Sequence, residues 1–519
     1  MSKALKLLLI AAIFNGLSWI ILIPIWQYPD EQSHFAQVQH AAELGFNSHP
    51  IPNTSYEVAI SEKYLGTQRD EIGNNKFTYH PEFKLPYSST KLGPHEEEIN
   101  NLSKDKRKEL VKYEATSNPP LYYFLSSIVY KLFSDGNLFT RVISVRILSL
   151  SFFVLSVFIA YKIGEVIFEK KKILPLVLAS LVAFKPMLVF SSTGILPDPL
   201  TNLIFSATIL LSLKIIQKGI LIRYIAAGII LFFLGFITRQ QAAILLPIIA
   251  LSILLNLLKR KLFWKIFIFV ISLTLLLLIL FYSRFLHVLV PEISIPNPRL
   301  LLTVNFITNF KSTIRHSIAE VLPWYWGVYK WLSLTLPPIT YQIINRILLI
   351  AGIGILIKTG SLILSRKIKD FDFYFIFLIL ISLVYFLAFS IGDYFFQTRY
   401  GYTFGIQGRY FFPLVVAHLS IVLIGLIQII KPLFRNYSKL VLALIPLFII
   451  IFNDYTLSFL ASKYYDVSNL QIFLTQASQY KPPLFKGTTI IILLAAAFIS
   501  QIIFLIYLTK ALLNSDEKI

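Results

Sequence analysis

Long apolar runs separated by short basic turns dominate the chain. The first run, about residues 5–26, is long enough to cross a bilayer, and Lys3 and Lys6 precede it. It is too long for the apolar region of a signal peptide, and no small-residue cleavage site follows, so it reads as a retained span. Further runs predict spans near 141–168, 173–193, 199–217, 222–237, 241–258, 262–287, 338–358, 373–391, 409–430, 440–460 and 488–510. The expectation is an all-α polytopic membrane protein with about 12 transmembrane helices in one domain, residues 1–519.

Two polar stretches interrupt this pattern: an outer loop over 27–140 and a second over 288–335. Within the first, Phe35, Val38, Ala41, Ala42 and Leu44 recur at helical spacing, which predicts an amphipathic helix from Asp30 to Leu44 along the membrane surface, stopped at Gly45. Residues 46–100 suggest no regular structure, and 103–115 suggest a short charged helix. The run 118–133 is short for a span. Reading it as a second juxtamembrane helix puts the basic turns at Lys170–Lys172, Lys214–Arg223, Lys259–Lys265, Lys358–Lys369 and Lys431–Lys439 on one side, the cytoplasm. Trp324, Tyr325, Trp326, Tyr329 and Trp331 suggest an aromatic belt at the outer interface. No internal repeat or low-complexity tract is visible.

Composition agrees with lipid as the solvent: 56% of residues are hydrophobic, 14% are charged, and the mean hydropathy is +0.69. There is no cysteine, which excludes disulfides, a thiolate nucleophile and cysteine-ligated metals. The net charge of +21 would suggest nucleic acid in a soluble protein. Residues 27–117, however, hold 14 acids and 10 Lys/Arg, so the excess of positive charge lies in the turns between apolar runs. Membrane lipids, and no nucleic acid, are the expected partners.

Polar residues crowd the side opposite the basic turns. Asp30, Glu31 and His34 follow the first span, with Asp30 and His34 one helical turn apart. Asp30 reads as the N-cap of the surface helix, with Glu31 favoured in its first turn by the helix dipole. It reads also as a general base on a hydroxyl, or, with Glu31 and His34, as a ligand of a divalent cation. Asp198, between Pro197 and Pro199, is either a turn former or a second acid facing the same cavity. Lys185 lies roughly 12 Å below the outer end of its span, where it either snorkels or faces a phosphate. Arg239, Gln240, Arg399, Gln407, Arg409 and Tyr410 complete the set, and the arginines either anchor headgroups or grip phosphate. Nucleotide sugars are not normally available outside the cell. A sugar on a polyprenyl phosphate fits: tail in lipid, phosphate among the arginines, sugar near Asp30.

The acidic pair after the first span, Asn118-Pro119-Pro120-Leu121-Tyr122-Tyr123, the Arg141–Arg146 start of the next span and Pro197-Asp198-Pro199 resemble the GT-C superfamily of integral-membrane glycosyltransferases. That group includes protein O-mannosyltransferases and the aminoarabinose transferase of lipid A. Pro29-Asp30-Glu31-x-x-His34 with Gly405-Ile406-Gln407-Gly408-Arg409-Tyr410-Phe411-x-Pro413 is similar to a bacterial membrane family that shares both signatures. The resemblance covers most of residues 1–430. It implies Asp30 as the catalytic-acid position and the arginines near 239 and 409 as phosphate-site candidates. Taken with the residues gathered on the outer side, the expected catalytic residues are Asp30 and Glu31, the expected substrate-binding residues are His34, Lys185, Asp198, Arg239, Gln240, Arg399, Gln407, Arg409 and Tyr410, and the expected acceptor is a glycan or lipid. Asn118 stands where the aminoarabinose transferases carry a phosphate-contacting lysine. A flippase of lipid-linked saccharide would show internal repeats and broken helices. An O-antigen polymerase or ligase would use outer arginines with a pyrophosphate donor.

Overall fold

The computed structural model describes residues 3–46, 53–71, 73–91, 93–114, 118–169, 171–261, 304–365, 368–434 and 437–514, with isolated positions between 264 and 272. The helices are α1 (Lys3–Leu22), α2 (Glu31–Glu43), α3 (Tyr56–Leu65), α4 (Glu96–Asn100), α5 (Leu121–Leu132), α6 (Leu138–Ile167), α7 (Leu174–Ala183), α8 (Pro186–Thr193), α9 (Asp198–Lys218), α10 (Ile222–Phe236) and α11 (Leu245–Lys259). They continue as α12 (Val304–His316), α13 (Leu322–Trp326), α14 (Pro338–Leu364), α15 (Asp370–Tyr400), α16 (Val415–Leu433), α17 (Ser438–Tyr464), α18 (Leu470–Ala477) and α19 (Thr488–Leu513). Two short antiparallel pairs, β1 (Thr54–Ser55) with β2 (Leu110–Lys112) and β3 (Val328–Tyr329) with β4 (Leu334–Thr335), are the sheet among the described residues.

The protein is an all-α polytopic membrane protein. Among the described residues nine helices are long and apolar enough to cross a membrane, and the bent α7–α8 pair makes a tenth. The difference from 12 has two sources. In the expected span 222–237 the helix, Ile222–Phe236, has only 15 residues, too short to count as a full span. The expected span 262–287 lies outside the described residues, as does 288–303 of the second loop. A helix break, which the sequence did not reveal, divides 173–193: α7 and α8 meet at 58° around Phe184–Lys185, where Pro186 cannot continue the ladder.

α1 packs against α6 and α19, α6 against α7 and α9, and α14 against α16. The last pair touches backbone to backbone. A Cβ on Gly354 would fall onto the Gly425 carbonyl, 2.7 Å from its carbon, so only glycine lets these spans approach so closely. Some polar groups inside the bundle pair across helices: Asn453 Nδ2 donates to Asn15 Oδ1 at 2.7 Å, and Trp19 Nε1 to Asn453 Oδ1 at 3.1 Å.

The first outer loop is more ordered than its composition suggests. The described part of 46–100 contains β1, α3 and α4, and the described part of the expected charged helix, 103–114, forms a 3-10 turn (Lys104–Arg107) and β2 instead. Buried charge pairs hold it down: Arg141 Nη2 meets Glu57 Oε1 at 2.5 Å, and Lys112 bridges Glu62 (2.9 Å) and Glu114 (2.6 Å). The expected aromatic belt is largely internal. Tyr325, Trp326, Tyr329 and Trp331 are buried, and Trp331 Nε1 donates to Trp26 O at 2.9 Å. These rings pack the second loop onto the first.

Candidate active site

The turn between α1 and α2 is built around a buried ion pair. Trp26 and Asp30 both adopt left-handed backbone, φ 60° and 55°. Glu31, fully buried, fixes the turn from inside. Its Oε2 accepts from Trp26 N (3.0 Å) and Arg146 Nη2 (2.6 Å), and its Oε1 accepts from Arg146 Nε (2.7 Å) and Ile195 N (3.3 Å). Arg146 also donates to the carbonyls of Ile20, Ile23 and Pro24 at 3.2, 2.9 and 3.0 Å, satisfying groups that the end of α1 leaves open. Every carboxylate lone-pair direction of Glu31 is therefore occupied, which makes it a structural residue; the expected catalytic role beside Asp30 does not fit that surrounding.

Asp30 begins α2 but does not cap it with its side chain. Its carboxylate instead lines a cavity of about 320 Å³ and is 32% exposed. Arg409 Nη2 lies 3.1 Å from Oδ2, and Arg69 Nη2 3.5 Å from Oδ1. Burial pushes the carboxyl up, but the Arg409 and Arg69 guanidiniums lead the opposing causes and leave the group below its ordinary value, so it is ionised at neutral pH. His34, one turn on, is buried, and its Nδ1 lies 2.8 Å from Tyr123 OH, which Asn118 Nδ2 reaches at 3.5 Å. Burial, aided by the arginines and only partly offset by Asp30, depresses the imidazole to about 3. It is neutral wherever the protein is folded at physiological pH.

The opposite wall is the segment before α16. Gly401 ends α15 at φ 80°, Asp393 Oδ1 accepts from Phe404 N at 2.7 Å, and Gly405 turns at φ 72°. His316 Nε2 lies 3.0 Å from Ile406 O, and Tyr385 OH donates to Tyr410 O at 2.8 Å. Gly408 packs on α13: a Cβ there would sit on the Tyr325 amide nitrogen, 2.6 Å from the Trp324 carbonyl carbon. Arg409 then points at Asp30, with its Nε donating to Gln407 Oε1 at 3.0 Å.

The structure thus gathers Asp30, Gln407, Arg409 and Tyr410 around one cavity, with His34 in contact behind Asp30. Arg239 lies within electrostatic reach of His34 and Arg409 and forms an ion pair with Asp198. Asp198 itself, the first residue of α9, is buried against that arginine and does not line the cavity. Three expected residues lie elsewhere. Lys185 is fully buried at the α7–α8 break, donating to Tyr325 O with the Tyr325 and Trp326 rings each at 4.0 Å. It neither snorkels nor meets the cavity, because the aromatic rings enclose it. Gln240 is exposed at the start of the 3-10 turn Gln240–Ile244, and Arg399 is exposed on the last turn of α15, its guanidinium 5.3 Å from the Tyr400 ring.

The sequence does not mark the other cavity residues as site residues, and it reads Tyr329 and Trp331 only as parts of an aromatic belt. Arg69 comes from the loop stretch without periodicity, and Ser33 Oγ takes its Nη1 at 2.5 Å. Lys330, Trp331 and Leu332 carry φ of 50°, 55° and 62°, a left-handed run over non-glycine residues that only a tightly constrained loop sustains. Lys330 Nζ constrains it by donating to Pro81 O (2.9 Å) and Phe83 O (2.5 Å). Tyr329 lines the cavity with a buried hydroxyl that has no hydrogen-bond partner among the described residues. The proline and positive-φ pattern offers no sequence signal for any of these.

A divalent cation held by Asp30, Glu31 and His34 does not fit this donor set. Glu31 is saturated by Arg146, His34 Nδ1 is engaged by Tyr123, and Asp30 stands between two guanidiniums. Among the described residues no group of three or more His, Cys, Asp or Glu converges.

Residues 13–418 match the model of a family described as "Predicted membrane protein (DUF2142)". The chain belongs to that family. No curated relative matches this DUF2142 protein. Among solved structures it is similar to the archaeal oligosaccharyltransferase AglB from Archaeoglobus fulgidus in complex with an inhibitory peptide and a dolichol-phosphate. The identity is 14% and the TM-score 0.49, over 89% of this chain and 56% of that one. The apo form of the Archaeoglobus fulgidus oligosaccharyltransferase gives 14% identity and a TM-score of 0.43, over 92% of this chain and 56% of that one. The DUF2142 chain spans little more than half the length of the solved chains it matches.

Proposed function

We propose that this protein is a glycosyltransferase of the GT-C type. In this reading it moves a sugar from a polyprenyl-phosphate donor to a glycan or lipid acceptor at the outer face of a bacterial cytoplasmic membrane. The observation that carries the reading is the Asp30–Arg409 pair at the cavity wall, where an ionised carboxylate meets a guanidinium that can grip phosphate. The donor phosphate takes Arg409, supported by Arg239, and frees Asp30 to face the acceptor. The acceptor oxygen attacks the anomeric carbon as its proton passes to an Asp30 oxygen. The bond from that carbon to the phosphate oxygen breaks, and its electron pair leaves with the polyprenyl phosphate. The arginines stabilise the growing phosphate charge, the kind of term that usually contributes most to such a reaction. Neutral His34 adds no positive charge of its own beside Asp30, so Arg409 and Arg69 are the counter-charges that donor binding rearranges.

Asp30→Asn, made in cells whose surface glycans are profiled, tests this. Loss of one sugar linkage with normal protein level supports the base; an unchanged glycan profile at normal level ends the assignment of Asp30.

The bend between α7 and α8 favours a second reading, a flippase of lipid-linked saccharide, because discontinuous spans often line transport sites. Against it, the lysine at the bend is enclosed by aromatic rings. Purified protein in vesicles separates the two: sugar transfer with consumption of donor belongs to the transferase, and donor crossing without consumption to the flippase.

A further inference from the structure

A second cleft, of about 370 Å³, opens at the far end of the bundle from Asp30. α15 and α16 connect the two places: the end of α15 and the segment before α16 build the cavity, while the start of α15 and the end of α16 border the cleft. Four lysines line it, Lys171, Lys358, Lys369 and Lys431, against two acids, Glu169 and Asp372.

Both acids are already engaged. Asp372 Oδ1 accepts from Lys358 Nζ at 2.6 Å, and its Oδ2 accepts from Lys369 N at 2.8 Å. Glu169 Oε1 takes Gln217 Nε2 at 2.8 Å and Tyr374 OH at 3.2 Å. Among the described residues no acid forms an ion pair with Lys171 or Lys431. Lys431 lies close enough to Lys171 and Lys358 to feel their charges. Like charges gathered in one cleft are unfavourable unless an anion neutralises them.

The walls narrow the choice of anion. Ile167, Leu174, Phe371, Ile424 and Ile427 line the same cleft as the lysines. Ile167, Leu174 and Phe371 lie in the terminal turns of three apolar helices, and Ile424 and Ile427 continue the apolar wall deeper along α16, as headgroups give way to acyl chains. A free phosphate would use the lysines and leave the apolar wall to water; a lipid uses both. The basic turns also lie on the side that the charge distribution assigns to the cytoplasm, whose leaflet is the anionic one.

We propose that this cleft binds the phosphate headgroup of an anionic phospholipid, with Lys171 and Lys431 as principal contacts and one acyl chain along Ile167, Leu174 and Phe371. A lipid seated there links the α6–α7 turn to α15 and α16, and so braces the spans that present Arg409 at their other end. The site stands independently of any transferase activity.

The full chain, purified in neutral detergent and stripped of lipid, is titrated with phosphatidylglycerol, phosphatidylcholine or inorganic phosphate while its thermal unfolding midpoint is followed. Phosphatidylglycerol is expected to raise the midpoint and the other two to leave it unchanged. The double variant K171Q/K431Q is expected to weaken the apparent phosphatidylglycerol affinity by roughly 30-fold. An equal shift with phosphatidylcholine, an equal shift with inorganic phosphate (a free-anion site), or an unchanged affinity in the double variant would each overturn the proposal. If the variant does not fold, the wild-type protein decides by salt. The phosphatidylglycerol shift should fade at about 1 M NaCl, where the screening length is ~3 Å, and a shift of undiminished size there refutes an ionic headgroup site.

Discussion

Asp30 and Glu31, adjacent in sequence, place their carboxylates in separate environments: Asp30 in the cavity between Arg409 and Arg69, Glu31 sealed against Arg146 beneath the turn. One acid is available to a ligand and the other is committed to the fold. Their substitutions should separate accordingly.

Arg146→Ala leaves Glu31 buried without its cation and the last carbonyls of α1 without donors. A loss of roughly 3–5 kcal/mol is expected, because breaking one half of a buried pair strands the other charge. Glu31→Gln should destabilise less, since an amide still accepts from Trp26 N. Chemical or thermal unfolding in detergent measures both, and an Arg146→Ala protein as stable as wild type would contradict the pairing.

Arg409→Lys keeps the charge but loses the fork that reaches both Asp30 and Gln407. Donor binding should weaken by about 10-fold or more, equivalent to roughly 1.4 kcal/mol, with little change in unfolding midpoint. Binding of a polyprenyl phosphate to purified protein reads this out; unchanged affinity in both the lysine and alanine variants would remove Arg409 from the phosphate site.

Stability should fall on acidification through His34. Its folded value, about 3, lies below the ordinary 6.5, so between these limits the unfolded chain binds a proton that the folded chain refuses. Folding stability therefore drops as pH falls below 6.5, by about 2 kcal/mol between pH 7 and 5, and the contribution levels off below pH 3. His34→Gln should remove this part of the slope in unfolding measured across that range. A slope identical to wild type would show that His34 is accessible to protons in the folded state.

Gly408→Ala should displace the Arg409 segment or block folding, because the added methyl meets the α13 backbone and neither side can yield. Gly401→Asn is the control: φ there is 80°, but nothing lies within 4 Å, and asparagine tolerates left-handed backbone. Expression and unfolding of the pair test the packing.

Sugar transfer, once reconstituted, should survive chelation by EDTA, since Asp30 and Glu31 are each matched by arginines and not by one another. Loss of activity that magnesium or manganese restores would contradict this.

Hydropathy and charge made the bundle legible: most spans and both helices flanking the first loop, α2 and α5, fall where periodicity put them. The turn after α1 was legible as a cluster but not as a division of labour. Choosing between Asp30 and Glu31 requires knowing that Arg146, 115 residues later, comes to lie beneath Glu31. The same holds for Lys185, whose enclosure depends on Tyr325 and Trp326 from a distant helix. Arg69 carries no local signal, and Tyr329 reads only as an interfacial aromatic, because their positions at the cavity follow from how two loops pack on each other.

The Glu31–Arg146 pair also constrains the order of biogenesis. Glu31 is synthesised well before the span bearing Arg146 exists. Until α6 enters the membrane, the end of α1 lacks its donors and the turn lacks its anchor. Asp30 consequently acquires its working position only after a later segment has been inserted, so a ribosome-bound intermediate shorter than about 150 residues carries the acid but not the site.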